Sequence, residues 1–161
     1  MRAGARAVRM GELAIAREDE VLAAVGLGSC IGIALIDAQS GIAGLAHVLL
    51  PEPSSGREGG PARFGTTAVP ALLQAMVDAG ASRSRIVAKM AGGASMFSGL
   101  SSNGIAAVGL RNATAVRQTL EQLGIPLVGE DVGGNWGRTV HVQARDGSYI
   151  ISNVRREDVV L

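Results

Sequence analysis

The chain has 161 residues, of which 47% are hydrophobic and 18% are charged, and this composition suits one domain with a sizeable core. A net charge of +1 gives no basic field for nucleic acid, and a single cysteine excludes an internal disulfide and a thiolate metal site. The start of the chain lacks the apolar segment of a secretory signal, and no apolar run is long enough to span a bilayer. We therefore expect one domain over residues 1–161, located in the cytoplasm and not inserted in a membrane.

The first 63 residues have the pattern of four short strands followed by a loop. Apolar and alternating runs predict the strands, at residues 11–19, 21–25, 31–37 and 42–50. The sequence AQSG separates the last two strands, and Ser40 and Gly41 within it are typical of a hairpin turn. Residues 51–63, PEPSSGREGGPAR, are rich in Pro, Gly and Ser and predict a loop.

A first helix is predicted over residues 66–80. Five apolar residues recur there at helical spacing: Val69, Leu72, Leu73, Met76 and Val77. Thr66 or Thr67 can cap the start of this helix, and Pro70 would then lie in its first turn. Gly80 can end it.

A second helix is predicted over residues 111–124, with Asn112 as its cap and Gly124 as its end. Its inward residues are Val116, Leu120 and Leu123. Further strands are predicted at residues 85–90, 125–132, 138–144 and 148–154, and Asp146 and Gly147 form the turn between the last two. About eight strands with frequent hairpins and two helices indicate an α+β layered domain, with mostly antiparallel sheet and the helices on a sheet face.

The predicted hairpin of residues 31–50 brings Cys30 and His47 together. A loop of two or four residues places residue i opposite residue 79 minus i, so that Cys30 faces Leu49 and His47 faces Gly32. Cys30 and His47 are then diagonal neighbours on one face, roughly 7–8 Å apart at the backbone. A loop of three residues would place them on opposite faces.

A cysteine beside a histidine can act as a nucleophile. The imidazole takes the thiol proton, the thiolate attacks an acyl carbon, and the imidazolium protonates the leaving group. The turn GLGSC, which contains Gly28 and Ser29, would present backbone N–H groups to the oxyanion. The alternative is structural: Cys30 as a small core residue and His47 as a hydrogen-bonded strand residue.

Other sites have less support in the sequence. GLGSCIG is not a GxGxxG that opens a helix and has no P-loop lysine, which disfavours nucleotide binding. His47 and His141 have no further metal-ligating residues at the usual spacing. His141 alternates with Val140 and Val142, so we expect it on a solvent face.

Six motifs occur in order and together resemble the CheD family over about residues 11–154. They are GLGSC, AHVLLP, RF-x-TTAVPALL, AGGASMF, GLRN and EDVGGNWGR. The resemblance implies a three-layer α/β/β fold of mostly antiparallel or mixed sheet, with two main helices on one face. It also implies a bacterial chemotaxis enzyme, a protein-glutamine glutaminase. Such an enzyme hydrolyses glutamine side-chain amides to glutamate on the cytoplasmic helices of methyl-accepting chemotaxis proteins, without a metal or an organic cofactor.

Carried over by position, the resemblance makes Cys30 the nucleophile and His47 the general base, with Gly28 and Ser29 in support. It also shows one departure, because the family threonine that completes a triad six residues before the cysteine is Ala24 here. A hydroxyl is absent at that position, and the backbone carbonyl of Ala24 could orient the imidazole instead. An alternative implied function is regulatory: binding a CheC-type phosphatase that acts on CheY-phosphate, with weak or no deamidase activity.

The later motifs are expected to build the site rather than to do its chemistry. Gly92 and Gly93 would permit a close approach of two backbones. The glycines of GGNWG would form a tight turn that aims Asn135 and Arg138.

Overall fold

The computed structural model describes residues 1–54, 59–96 and 105–161, and the elements below are those of these residues. The four central residues of the predicted loop, 55–58, and Phe97 of the AGGASMF run lie outside them. The strands are β1 (Arg6–Ala7), β2 (Leu13–Arg17), β3 (Val21–Leu27), β4 (Ile31–Asp37), β5 (Ile42–Val48), β6 (Val87–Gly92), β7 (Leu127–Val132), β8 (Arg138–Gln143), β9 (Tyr149–Asn153) and β10 (Arg156–Val160). The helices are α1 (Gly65–Asp78) and α2 (Ile105–Leu123).

The strands form two five-stranded sheets. The central sheet has the order β2-β5-β4-β6-β7, and the outer sheet has the order β1-β3-β8-β9-β10. Both are mixed, because β6 pairs with β7 and β1 pairs with β3 in parallel, whereas the other pairs are antiparallel. The strands β1 and β10 were not predicted, because two residues are too few for a pattern and the sequence of β10 is polar at its start.

The central sheet lies between the two helices and the outer sheet. Along β4, Ile31, Ile33 and Leu35 belong to the hydrophobic cluster that contains residues of α1 and α2. The alternate residues Ala34 and Ile36 belong to the cluster shared with the outer sheet. A strand buried on both faces has an apolar sequence throughout, as IGIALID has. The α+β class, the α/β/β layers and the placement of both helices on one face are confirmed.

The hairpin β4–β5 has the predicted register. Ile31 pairs with Val48 and Asp37 pairs with Ile42, so four residues form the loop. Gly41 in that loop has φ +64°, a left-handed conformation that glycine adopts without a steric penalty.

Helix α1 begins at Gly65, two or three residues earlier than a threonine cap predicts. Its first N–H groups donate to backbone carbonyls, from Gly65 to Leu50 at 2.8 Å and from Thr66 to Pro51 at 3.0 Å. Because the chain supplies these acceptors, neither threonine caps the helix, and Pro70 lies in the second turn. Gly80 ends α1 as predicted, with φ +107°. The side chain of Val77 is 41% exposed and is not an inward residue.

Helix α2 begins at Ile105, six residues before its predicted start, so Asn112 is not a cap. Asn112 lies inside the helix and is fully buried. Gly124 ends the helix as predicted, with φ +70°. Neither helix, within the described part of the chain, has the length and hydropathy that crossing a bilayer requires.

Candidate active site

Cys30 lies immediately before β4, in a loop whose backbone is held by the segment that follows β6. The carbonyl of Gly28 accepts a hydrogen bond from the N–H of Ala94, and the carbonyl of Cys30 accepts one from Gly93, both at 2.9 Å. A Cβ atom at Gly92 would lie 2.1 Å from the Cys30 carbonyl oxygen. Only glycine permits this approach, so the expectation of close backbone contact at Gly92 is confirmed.

His47 lies on β5, opposite Gly32 on β4. A Cβ atom at Gly32 would touch Leu27 and Val140 of the outer sheet, so this face of β4 and β5 looks into the layer between the sheets. The half-buried Cys30 packs against the apolar cluster of the same layer. Cys30 and His47 therefore lie on the same face of the central sheet, as the predicted register requires.

Three hydrogen bonds fix His47. Its backbone N–H donates to the Glu12 carbonyl at 3.0 Å, and its carbonyl accepts from the Gly11 N–H at 2.9 Å. Its ring Nδ1 lies 3.1 Å from the carbonyl oxygen of Val8. A carbonyl oxygen can only accept, so Nδ1 carries the hydrogen and Nε2 of the neutral ring is the basic nitrogen.

The basic nitrogen of His47 has no hydrogen-bond partner among the described residues, although it is buried. Burial lowers the pKa of His47, against the raising effects of the Val8 hydrogen bond and the Glu12 charge. Burial also raises the pKa of the Cys30 thiol. At neutral pH the thiol and the imidazole are therefore both uncharged, and no hydrogen bond joins them among the described residues.

The sequence suggested that the backbone carbonyl of Ala24 orients the imidazole of His47. In the structure, the carbonyl of Val8 lies at the imidazole instead. Ala24 is buried in the layer between the sheets and pairs with Val140 of β8. Val8 follows β1, and its N–H donates to the Ala23 carbonyl at 2.7 Å. The parallel pairing of β1 with β3 thus brings Val8 to His47.

The loop before Cys30 offers free backbone donors. The N–H groups of Ser29 and Cys30 make no hydrogen bond to any described residue. Gly28 directs its carbonyl away to Ala94, so it does not compete for these donors. The loop can present two N–H groups to an oxyanion at the thiol.

Two buried side chains that the sequence did not assign to the site hold its frame. Asn112 donates from Nδ2 to the carbonyls of Ser29 at 2.9 Å and Leu49 at 2.8 Å. The Tyr149 hydroxyl donates to the Gly32 carbonyl at 2.6 Å. A buried polar residue in an apolar helix was the available signal for Asn112, but capping explained it equally well.

The GGNWG turn has a structural role here. Gly133 and Gly134 have φ of +86° and +72°. They lead to the buried Arg138, which donates to the Asp131 carboxylate and to the carbonyls of Gly92 and Gly133. The turn therefore supports the segment beside Cys30, while Asn135 is exposed.

The expectation of a solvent-facing His141 is wrong. Its side chain does point away from the layer between the sheets, but residue 141 is only 3% exposed. The backbone N–H of Arg2 donates to its Nε2 at 3.0 Å, so the start of the chain covers it.

A cavity of about 840 Å³ lies on this outer face of β8, lined by His141 and Thr139 among others. Neither Cys30 nor His47 lines it. Met96 lines it and also approaches Gly28, so the cavity borders the Cys30 loop without containing the thiol.

The sequence model of a known family, described as CheD chemotactic sensory transduction, matches residues 49–153. Three similar proteins are each named a probable chemoreceptor glutamine deamidase CheD. The one from Haloarcula marismortui is 43% identical over 96% of this chain and 88% of its own length. Those from Symbiobacterium thermophilum and Moorella thermoacetica are 47% and 44% identical, over 93% and 92% of this chain and 93% and 90% of their own lengths.

Proposed function

This chain belongs to the CheD family, and we propose that it is a chemoreceptor glutamine deamidase, an amidohydrolase that converts glutamine side chains of chemoreceptors to glutamate. The observation that carries the mechanism is the state of His47. Its Nδ1–H is bound by Val8, and its buried Nε2 is unpaired on the face that Cys30 shares. A polar atom buried without a partner costs free energy, and a catalytic role is one reason for a protein to keep one.

In the first half of the reaction, Nε2 of His47 takes the proton of the Cys30 thiol as Sγ attacks the amide carbon of the substrate glutamine. The carbonyl oxygen becomes an oxyanion, which accepts hydrogen bonds from the N–H groups of Ser29 and Cys30. The carbon–nitrogen bond then breaks while the imidazolium protonates the nitrogen. Ammonia leaves, and a thioester joins the substrate to Cys30.

In the second half, His47 takes a proton from water as the water oxygen attacks the thioester carbon. The carbon–sulfur bond breaks, the imidazolium returns the proton to Sγ, and the product leaves as a carboxylate. The product acid gives its proton to the released ammonia, so the net change converts glutamine and water to glutamate and ammonium. Each step uses His47 once as a base and once as an acid, and this requires the fixed ring tautomer that Val8 selects.

The Val8 carbonyl supports a full role for His47 despite the alanine at position 24. An orienting group must accept a hydrogen bond from Nδ1–H and hold the ring plane, and a peptide carbonyl does both. The proposal therefore requires no hydroxyl from residue 24.

We further propose that the substrate helices are the cytoplasmic ones of the receptors, so that the reaction takes place in the cytoplasm. A CheC-type phosphatase, which the family resemblance implies as a partner, is a separate proposal. The absence of a hydroxyl at Ala24 favours this regulatory role, whereas the Val8 carbonyl at His47 favours catalysis. Titration with a CheC-type protein of the same organism tests this partner.

The test of the proposed function is mass spectrometry of a receptor cytoplasmic fragment after incubation with the purified protein. Conversion of glutamine to glutamate should occur with the wild-type protein and be absent with Cys30→Ala. His141→Ala is the matched control, since it removes a second buried histidine away from Cys30 and should leave conversion near the wild-type rate. Conversion that survives Cys30→Ala, or no conversion by a folded wild-type protein, would refute the proposal.

A further inference from the structure

Helix α2 reaches the active site through one buried amide. Asn112 is fully buried, and its Nδ2 uses both hydrogens on backbone carbonyls, those of Ser29 and Leu49. Carbonyls only accept, so the nitrogen of the amide must face them. The two acceptors are 20 residues apart in sequence and 83 and 63 residues from Asn112.

The two carbonyls flank the reacting side chains. Ser29 precedes Cys30 directly, and Leu49 lies two residues after His47. The hydrogen-bond ladder between β4 and β5 ends at Ile31 and Val48. Beyond that pair, no strand pairing connects the segment before β4 to the segment after β5. Asn112 supplies a bridge where the ladder stops, and it ties the nucleophile loop to the strand that carries the base.

The same face of α2 also supports the other side of the Cys30 loop. Gly109 lies three residues before Asn112, and a Cβ atom there would come within 2.5 Å of the carbonyl oxygens of Gly93 and Ala94. The N–H groups of those two residues hold the carbonyls of Cys30 and Gly28. One helix face therefore braces the loop from both sides, through a side chain at Asn112 and through close packing at Gly109.

Asn112 does this at a cost to stability. Its Oδ1 is buried and has no partner among the described residues, in a helix that otherwise packs Ala113, Val116 and Leu120 into an apolar cluster. An unsatisfied buried acceptor costs about 1–3 kcal/mol. An apolar side chain at this position would avoid that cost but could not bridge the two carbonyls.

We infer that Asn112 is a positioning residue that sets the separation of Cys30 and His47 by clamping the ends of their strands; the inference rests on the proposed function for its catalytic consequence. Without the clamp, the loop moves relative to the imidazole. A misplacement of about 1 Å can lower the rate about 100-fold. The loosened loop also exposes the thiol, so its burial and the resulting rise of the pKa diminish.

The test compares Asn112→Ala with Thr119→Val, using two rates in each protein. Thr119 is a matched control, because it is buried in α2 and its hydroxyl donates only within the helix, to the Ala115 carbonyl. Receptor deamidation and alkylation of Cys30 by iodoacetamide are measured below the melting temperature. In Asn112→Ala, we expect kcat/KM to fall at least about tenfold and alkylation to become several times faster. Thr119→Val should keep both rates near wild type.

Asn112→Asp keeps the shape and supplies a second variant if Asn112→Ala does not fold. The ionised carboxylate has no hydrogen to donate to the two carbonyls, whereas the protonated acid donates one. Its kcat/KM relative to wild type should therefore improve as the pH falls.

Two results would overturn the inference. The first is equal behaviour of Asn112→Ala and Thr119→Val in both rates, and the second is an activity loss that matches the fraction of unfolded protein. The alkylation comparison needs no receptor. If the wild-type protein deamidates nothing, the proposed function fails, and alkylation alone still decides whether Asn112 holds the Cys30 loop.

Discussion

The two ends of the β4–β5 hairpin contain buried polar groups in opposite states. At the turn end, the fully buried Asp37 accepts five hydrogen bonds, from Ser40, Ser82 and Arg85. At the open end, His47 has a buried Nε2 without a partner, and the nearby Asn112 has a buried Oδ1 in the same state.

The difference is also one of charge. Burial alone would raise the pKa of Asp37, but the Arg85 guanidinium and the N–H groups of Ser82 and Ser40 lower it to about 2. At the other end, burial raises the pKa of Cys30 and, against the Val8 hydrogen bond and the Glu12 charge, lowers the pKa of His47, so both groups are neutral. A fully bonded charge stabilises the fold, whereas an unpaired base is available to a substrate.

The largest expected effect is on activity at the open end. Removal of the base by His47→Ala should lower kcat/KM by about 10²–10⁴-fold, because the thiol then loses its proton acceptor. The kcat/KM of His141→Ala should stay near the wild-type value, because this variant removes an equally buried histidine outside the site. The double variant Cys30→Ala/His47→Ala should be hardly worse than Cys30→Ala, since the pair acts as a unit. Receptor-fragment mass spectrometry measures all four proteins.

The second prediction concerns the backbone contact between Gly92 and Cys30 at the open end of the hairpin. Gly92→Ala would put a methyl group 2.1 Å from the Cys30 carbonyl, at a residue with φ +118°. We expect a loss of about 2–4 kcal/mol in the free energy of unfolding and a displaced nucleophile loop. Gly124→Ala meets open space at φ +70°, so it carries only the backbone penalty of about 1 kcal/mol. Equal losses in urea unfolding of the two variants would contradict the contact at Gly92.

The turn end should respond in stability and not in activity. Asp37→Asn removes a carboxylate whose pKa is about 2, and a shift of roughly two units corresponds to about 2–3 kcal/mol. A depressed pKa stabilises the fold above about pH 4, and this contribution is lost as the pH falls towards 2. The stability of the variant should therefore change less than that of the wild type across this range.

The deamidation rate provides the control for Asp37→Asn. Asp37 lies seven residues along the strand from Cys30, about 23 Å at strand spacing. A kcat/KM within about twofold of wild type at a temperature where both proteins are folded is expected. A loss as large as that of His47→Ala would mean that the two ends are coupled.

The smallest expected effect is the position of the pH profile. His47 must be neutral to act as a base, and burial lowers its pKa, so the acid limb of kcat/KM should lie below the ordinary histidine value of about 6.5. Glu12→Gln removes a charge that raises the pKa of His47, so the acid limb of this variant should move to lower pH. A limb above pH 6.5 would contradict a buried, neutral imidazole.

The parts of the site that the sequence predicted are those that local rules determine. The four-residue turn predicted the register of β4 with β5, and this register predicted that Cys30 and His47 share a face. Val8 and Asn112 could not be predicted, because they reach the site from the other sheet and from a helix, 39 and more residues away. The alternation of residues 140–142 correctly predicted that His141 points away from the face of its valine neighbours. No local sequence rule could predict that Arg2 covers the face on which His141 lies.

The group that accepts the hydrogen of the His47 imidazole is a backbone oxygen, that of Val8. This determines which kinds of mutation can inactivate the site. Every amino acid at position 8 carries that oxygen, so many substitutions there would test only packing. The number of residues in this segment does matter. Gly11 and Glu12 are hydrogen-bonded to the backbone of His47, so only two residues connect them to Val8. The activity therefore depends on the length of this short segment more than on its side chains. Insertions and deletions, which a substitution survey does not sample, are the changes that would disable it.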